Sequence, residues 1–231
     1  MQTVSPYFAT VHEDVDAACH SIFINGINNT VDVALEITAP FSDFRHHIEH
    51  LVNPTSGFIS DHFRILKGKH GYPSETTYEL SKKLISLEGG SKKILLIGHS
   101  EGGVIIERAL HHLQKSGFKK LLSRITVHTL GSSSFFKNSF GIKKLTHHVT
   151  LLDTLCFLQN PLILVISTIA FFKVLKCKIL EQKNSAHIFS LHTKFYWPGS
   201  WNFWKEHTVR EGLYNQILRK KLRKENPSSS Y

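Results

Sequence analysis

Ser100 lies in Gly98-His99-Ser100-Glu101-Gly102-Gly103, between the apolar run Ile94-Leu95-Leu96-Ile97 and an apolar stretch carrying Val104, Ile105, Ala109 and Leu110. A serine between glycines, where a strand turns sharply into a helix, has a chemical meaning. The glycines let strand and helix approach each other and let the serine adopt a strained backbone, so that its hydroxyl stands clear as a nucleophile. The following helix brings its positive end to the bend, and the backbone N–H of Glu101 is placed to face a developing oxyanion. The competing reading is a glycine-rich strand-to-helix turn with no chemistry attached.

Such a serine needs a scaffold. Short runs rich in Ile, Val, Leu and Phe fall at Ser21 to Ile24, Ile48 to Val52, Lys93 to Ile97, Ile125 to Leu130 and His148 to Leu152. Stretches with helical spacing lie at Val31 to Ile37, Ser74 to Leu87, Gly103 to Gln114 and about Val209 to Arg223. Strand alternating with helix predicts an α/β fold, a mainly parallel sheet flanked by helices. No repeat and no long Pro- or Gly-rich linker interrupts it, so residues 1–225 are expected to form one domain and 226–231 a loose tail.

The elbow, Gly98-His99-Ser100-Glu101-Gly102-Gly103, resembles that of the α/β-hydrolase superfamily, the lipase and esterase branches above all. The resemblance spans about Ser21 to Lys221 and implies a three-layer sandwich, with a trimmed sheet because little chain precedes Ile22. Ser21-Ile22-Phe23-Ile24-Asn25-Gly26-Ile27 falls where these hydrolases complete the oxyanion hole, which implies the Ile27 N–H as second donor beside that of Glu101. Asn25 replaces their usual His, and an ordinary turn at Asn25-Gly26 competes with this reading. The family order of Ser, acid, His implies Asp153 as the orienting acid, since it follows the run from His148 and is the only aspartate after Asp61. A helix N-cap is the other role open to Asp153. His207, ahead of Val209, Leu213 and Ile217, resembles the junction that carries the family's base, with His192 and then His187 as alternatives. The wording of Phe23 to Thr30, of Asn53-Pro54-Thr55-Ser56-Gly57 and of the elbow is also similar to a family of chlamydial proteins, a resemblance that implies no activity.

The chain has 16 histidines among 231 residues, which invites a metal. The pairs His46-His47, His111-His112 and His147-His148 are adjacent, however, and neighbours on a strand point to opposite faces. No H-E-x-x-H or H-x-H spacing with a nearby carboxylate is present, so neither a metal site nor a cofactor is expected. Cys19, Cys156 and Cys177 are too scattered for a disulfide framework.

The formal net charge is +10, of which Arg219, Lys220, Lys221, Arg223 and Lys224 against Glu225 supply +4. That local excess, without a basic stripe interleaved with aromatics, argues against a nucleic-acid partner. The terminal helix could lie on an anionic membrane, although packing its apolar face on the sheet is the simpler expectation. Leu151 to Phe172 is mostly apolar and forms an insert at about 155–180. A buried helix, a lid over Ser100 and a membrane-inserting helix at 155–175 all fit its length. No cleavable signal is readable at the start, which leaves a cytoplasmic or a membrane-associated protein.

Two functions follow from these residues. One is a serine hydrolase acting on a lipid or acyl ester through Ser100, His207 and Asp153. The other is a hydrolase-like scaffold without turnover, serving as a membrane-associated or interaction protein.

Overall fold

A computed structural model of the chain describes residues 7–13, 17–26, 47–55, 57–132, 134–136, 138–150, 185–188, 193–196, 216–217 and 220. Its strands are β1 (Phe8–His12), β2 (Cys19–Ile24), β3 (His47–Leu51), β4 (Lys93–His99), β5 (Ile125–Leu130), β6 (Lys144–Thr150), β7 (Ser185–Ile188) and β8 (Thr193–Tyr196). The helices are α1 (Phe58–Lys69), α2 (Glu75–Ser86), α3 (Gly102–Lys115) and the short α4 (Lys119–Leu122). All eight strands join one sheet in the order β1-β3-β2-β4-β5-β6-β8-β7. Neighbours run parallel except at the two edges, where β1 pairs antiparallel with β3 and β7 with β8.

The expected α/β architecture is present, and the local causes are readable. The Ile94 to Ile97 run of β4 is buried throughout, as a central parallel strand covered on both faces must be. On one face Ile22, Ile24, Leu96 and Val127 of the sheet meet Leu80 and Leu84 of α2 and Ile106, Leu110 and Leu113 of α3. On the other, Phe23, Ile48, Leu95 and Ile97 are buried too, so the sheet is the middle layer. Helix α2 is capped by Ser74, whose side chain accepts from the Thr77 N–H while the Thr77 hydroxyl takes the Ser74 N–H in return. That reciprocal cap occupies an orphan donor and sets the helix start one residue past the serine.

Four expectations shift. The lead before Ile22 accommodates an edge strand, β1, held by β3. The strand expected at His148 to Leu152 is β6, which starts earlier, at Lys144. Helix α1 was not expected at all: Phe63 and Leu66 are exposed (62% and 49%), so its apolar residues draw no single stripe. The chain around Ile188 makes two short strands, β7 and β8, with His192 between them and outside the described residues. Of the expected terminal helix, Gln216, Ile217 and Lys220 are described and helical, with Ile217 buried and the other two exposed. The Val31 to Ile37 helix and the apolar insert lie outside the described residues. Among the described residues no helix is long and apolar enough to cross a membrane.

The histidines of the sheet are largely core residues. His147 and His148 point to opposite faces, as alternation requires. His147 meets the Thr129 hydroxyl at 2.7 Å and the Phe136 carbonyl at 2.9 Å, and His148 meets His128 at 3.0 Å.

Candidate functional site

After β2 the chain crosses to β3 on one side, then returns past β2 to β4 on the other. Connections that leave in opposite directions open a crevice at the carboxyl ends of the two strands between them, which is where open α/β sheets bind ligands. Here those ends are Asn25-Gly26 after β2 and His99-Ser100 at the end of β4, with Ile24 and Gly98 as register partners just before them.

Ser100 sits at the bend with φ of 52°, the only non-glycine at positive φ among the described residues. A side chain in that region costs about 1–3 kcal/mol and persists only where the surroundings hold it. They do. The Ser100 N–H donates to the Leu130 carbonyl at 3.0 Å, and its own carbonyl accepts from the Gly103 N–H at 3.2 Å. A Cβ on Gly98 would come within 2.7 Å of the Gly102 backbone. One on Gly102 would run into the Ile24 carbonyl, and one on Gly103 into the Ser132 side chain. The three elbow glycines are therefore required by contact, not only by turn geometry. Glu101 is the N-cap of α3, and no carbonyl among the described residues takes its N–H. That donor and the positive end of the 14-residue helix α3 lie directly behind Ser100.

Gly26 is packed against the same serine. A Cβ there would lie 2.6 Å from Ser100 Cβ and 3.2 Å from its Oγ, so the β2 loop approaches the hydroxyl as closely as a backbone can. The Asn25-Gly26 turn is thus part of the Ser100 environment. Asn25 is fully buried and uses its whole amide: Oδ1 accepts from the Asn53 N–H at 2.8 Å and lies 3.1 Å from His50 Nε2, while Nδ2 donates to the carbonyls of Gly26 at 2.8 Å and Asn53 at 3.1 Å. Two donors and two acceptor positions exhaust what the side chain offers.

Sequence reasoning used only the backbone of Glu101. Its side chain is buried beneath the elbow, where Arg64 of α1 donates to both carboxylate oxygens, Nε at 2.7 Å and Nη2 at 2.8 Å, and Asn53 Nδ2 donates at 2.6 Å. The bond to Glu101, outweighing the effect of burial, raises the Arg64 pKa further above its ordinary value. Arg64 also lies 3.1 Å from Asp61, which accepts from the Thr55 hydroxyl at 2.6 Å. Thr76 of α2 donates to Asn53 Oδ1 at 3.2 Å. Asn25, Asn53 and Glu101 therefore form one buried chain of hydrogen bonds joining the ends of β2, β3 and β4. Its traces in the sequence are Asn25 and the Asn53 to Gly57 wording, with no indication that they are partners.

Ile27, Asp153, His192 and His207 lie outside the described residues. His187 is on β7, and its side chain lies outside them as well. The described part of the site is thus the elbow, Gly26 and the network beneath.

No protein-family model matches the chain, and no curated protein does. Among solved structures it is similar to a type II thioesterase from the yersiniabactin NRPS/PKS biosynthetic pathway, at 10% identity and a TM-score of 0.39. It is also similar to a lipase-esterase related protein from Clostridium acetobutylicum ATCC 824, at 17% identity and a TM-score of 0.30. Each match covers 57% of this chain and 49% of the other, so the chain spans about half the length of either.

Proposed function

We propose that the protein is a serine hydrolase that cleaves a carboxylic ester, with Ser100 as nucleophile. The observation that carries this is the backbone of Ser100, held at φ of 52° at the carboxyl ends of β2 and β4 and pressed against Gly26. A strained serine at a switch point, with a helix-terminal N–H behind it that no carbonyl among the described residues takes, is the arrangement nucleophilic acyl transfer needs.

In this reading Ser100 Oγ attacks the acyl carbonyl as its proton passes to His207, with His192 and His187 as the alternative bases and Asp153 orienting the imidazole. The tetrahedral oxyanion is met by the Glu101 and Ile27 amides. Collapse expels the alcohol, which takes the proton from the imidazolium, and water then releases the acid by the same steps reversed. Asn25 supports the second donor. Its Nδ2 holds the Gly26 carbonyl, the oxygen of the peptide to which the proposed Ile27 donor belongs. The apolar insert favours a lipid or acyl ester, presented at a membrane surface by that insert or by the basic terminal helix.

A fluorophosphonate probe tests the reading. The wild-type chain is expected to be labelled and Ser100→Ala to remain unlabelled; equal labelling of the two, or none of either, refutes it.

A further inference from the structure

His20 and His47 are register partners on the parallel strands β2 and β3, and Glu49, two residues past His47, shares their face. His20 Nε2 lies 2.7 Å from Glu49 Oε2 and His47 Nε2 lies 3.4 Å from Glu49 Oε1. One ligand atom from each residue lies within 4.8 Å of the others. The His20 and Glu49 side chains are about nine-tenths buried (10% and 8% exposed), and that of His47 is 16% exposed. Adjacent histidines in sequence make poor joint ligands, but strand register joins two that are 27 residues apart.

The geometry points to a zinc site of two imidazoles and one carboxylate, and we propose that His20, His47 and Glu49 bind zinc with water in the fourth position. Two histidines and a glutamate are an established donor set for this metal. Ligands about 2.0–2.1 Å from a tetrahedral ion stand roughly 3.3 Å apart, so the three atoms reach coordinating positions by shifts below about 1.5 Å. A buried carboxylate requires a cation. Lys83 of α2 now supplies one, its Nζ 2.6 Å from Glu49 Oε1, and its side chain is 25% exposed, which leaves it a route to solvent when zinc enters. The six residues from His20 to Gly26 put this cluster roughly 20 Å along the strand direction from the elbow, at the opposite edge of the sheet. The cluster joins β2 to β3 and is separate from the elbow, so the zinc reading does not depend on the hydrolase reading.

Calorimetric titration of the tag-free full-length chain with Zn2+ tests it. One zinc per chain is expected, together with a higher Tm in its presence. His20→Ala and His47→Ala should each weaken binding by more than about tenfold, with far-UV circular dichroism confirming that the variants fold. Lys83→Met keeps every ligand and removes the competing cation, so it should bind zinc more tightly than wild type. Ser100→Ala should bind as wild type does. Binding undiminished in His47→Ala, or no tighter in Lys83→Met, overturns the proposal.

Discussion

Asn25 spends every hydrogen-bonding position of its side chain on holding the turn beside Ser100. Its Nδ2 bond to the Gly26 carbonyl fixes the peptide beside Ser100, and its remaining bonds anchor that peptide to the end of β3. Asn25→Asp keeps the shape but replaces a donor with an acceptor facing two carbonyls. The expected outcome is a fall of roughly 100-fold in the rate of probe labelling, the size of losing one oxyanion donor, with Ser100 still reactive. Stopped-time labelling read on gels measures it; an unchanged rate would remove Asn25 from the positioning of the Gly26–Ile27 peptide. That Ser100 and its glycines belong together was legible in the sequence, because G-x-S-x-G is a local pattern. The role of Asn25 was not, since an Asn before Gly also reads as a plain turn.

Elements divide the same way. Helices α2 and α3 were foreseeable because each buries one stripe, Leu80 and Leu84 in one and Ile106, Ala109, Leu110 and Leu113 in the other, and because Ser74 announces its own cap. Ser74→Ala removes one half of the reciprocal cap and should cost about 1 kcal/mol, seen as a lower urea midpoint at unchanged slope. Helix α1 escaped notice for a physical reason. Its inward face is mixed: Ile65 is buried beside the Asp61–Arg64 ion pair, while Phe63 and Leu66 face outward. Hydrophobic periodicity reports poorly on a helix that buries an ion pair beside one isoleucine and leaves its other described large apolar residues exposed.

At the scale of the whole molecule, the Arg64–Glu101 pair ties the segment after β3 to the turn after β4, across 37 residues of chain. Arg64→Met would strand the Glu101 carboxylate, whose side chain is only 3% exposed, and is expected to cost about 3 kcal/mol, the lower end for breaking a buried pair because Arg64 itself is 24% exposed. Replacing Glu101 with Met as well should recover only part of that loss, since Asp61 still loses Arg64 and Asn53 Nδ2 loses the carboxylate it donates to. Urea unfolding of the two single variants and the double variant gives the coupling directly. The sequence by itself determined the alternation of strand and helix, the serine elbow and the start of α2, all of which rest on residues close together along the chain. Only the tertiary structure decided that Gly26 abuts Ser100, that Arg64 and Asn53 clamp Glu101, and that His20 meets His47 and Glu49. Those contacts depend on strand order and register, which are set by how distant apolar faces pack together and leave no mark at short spacing.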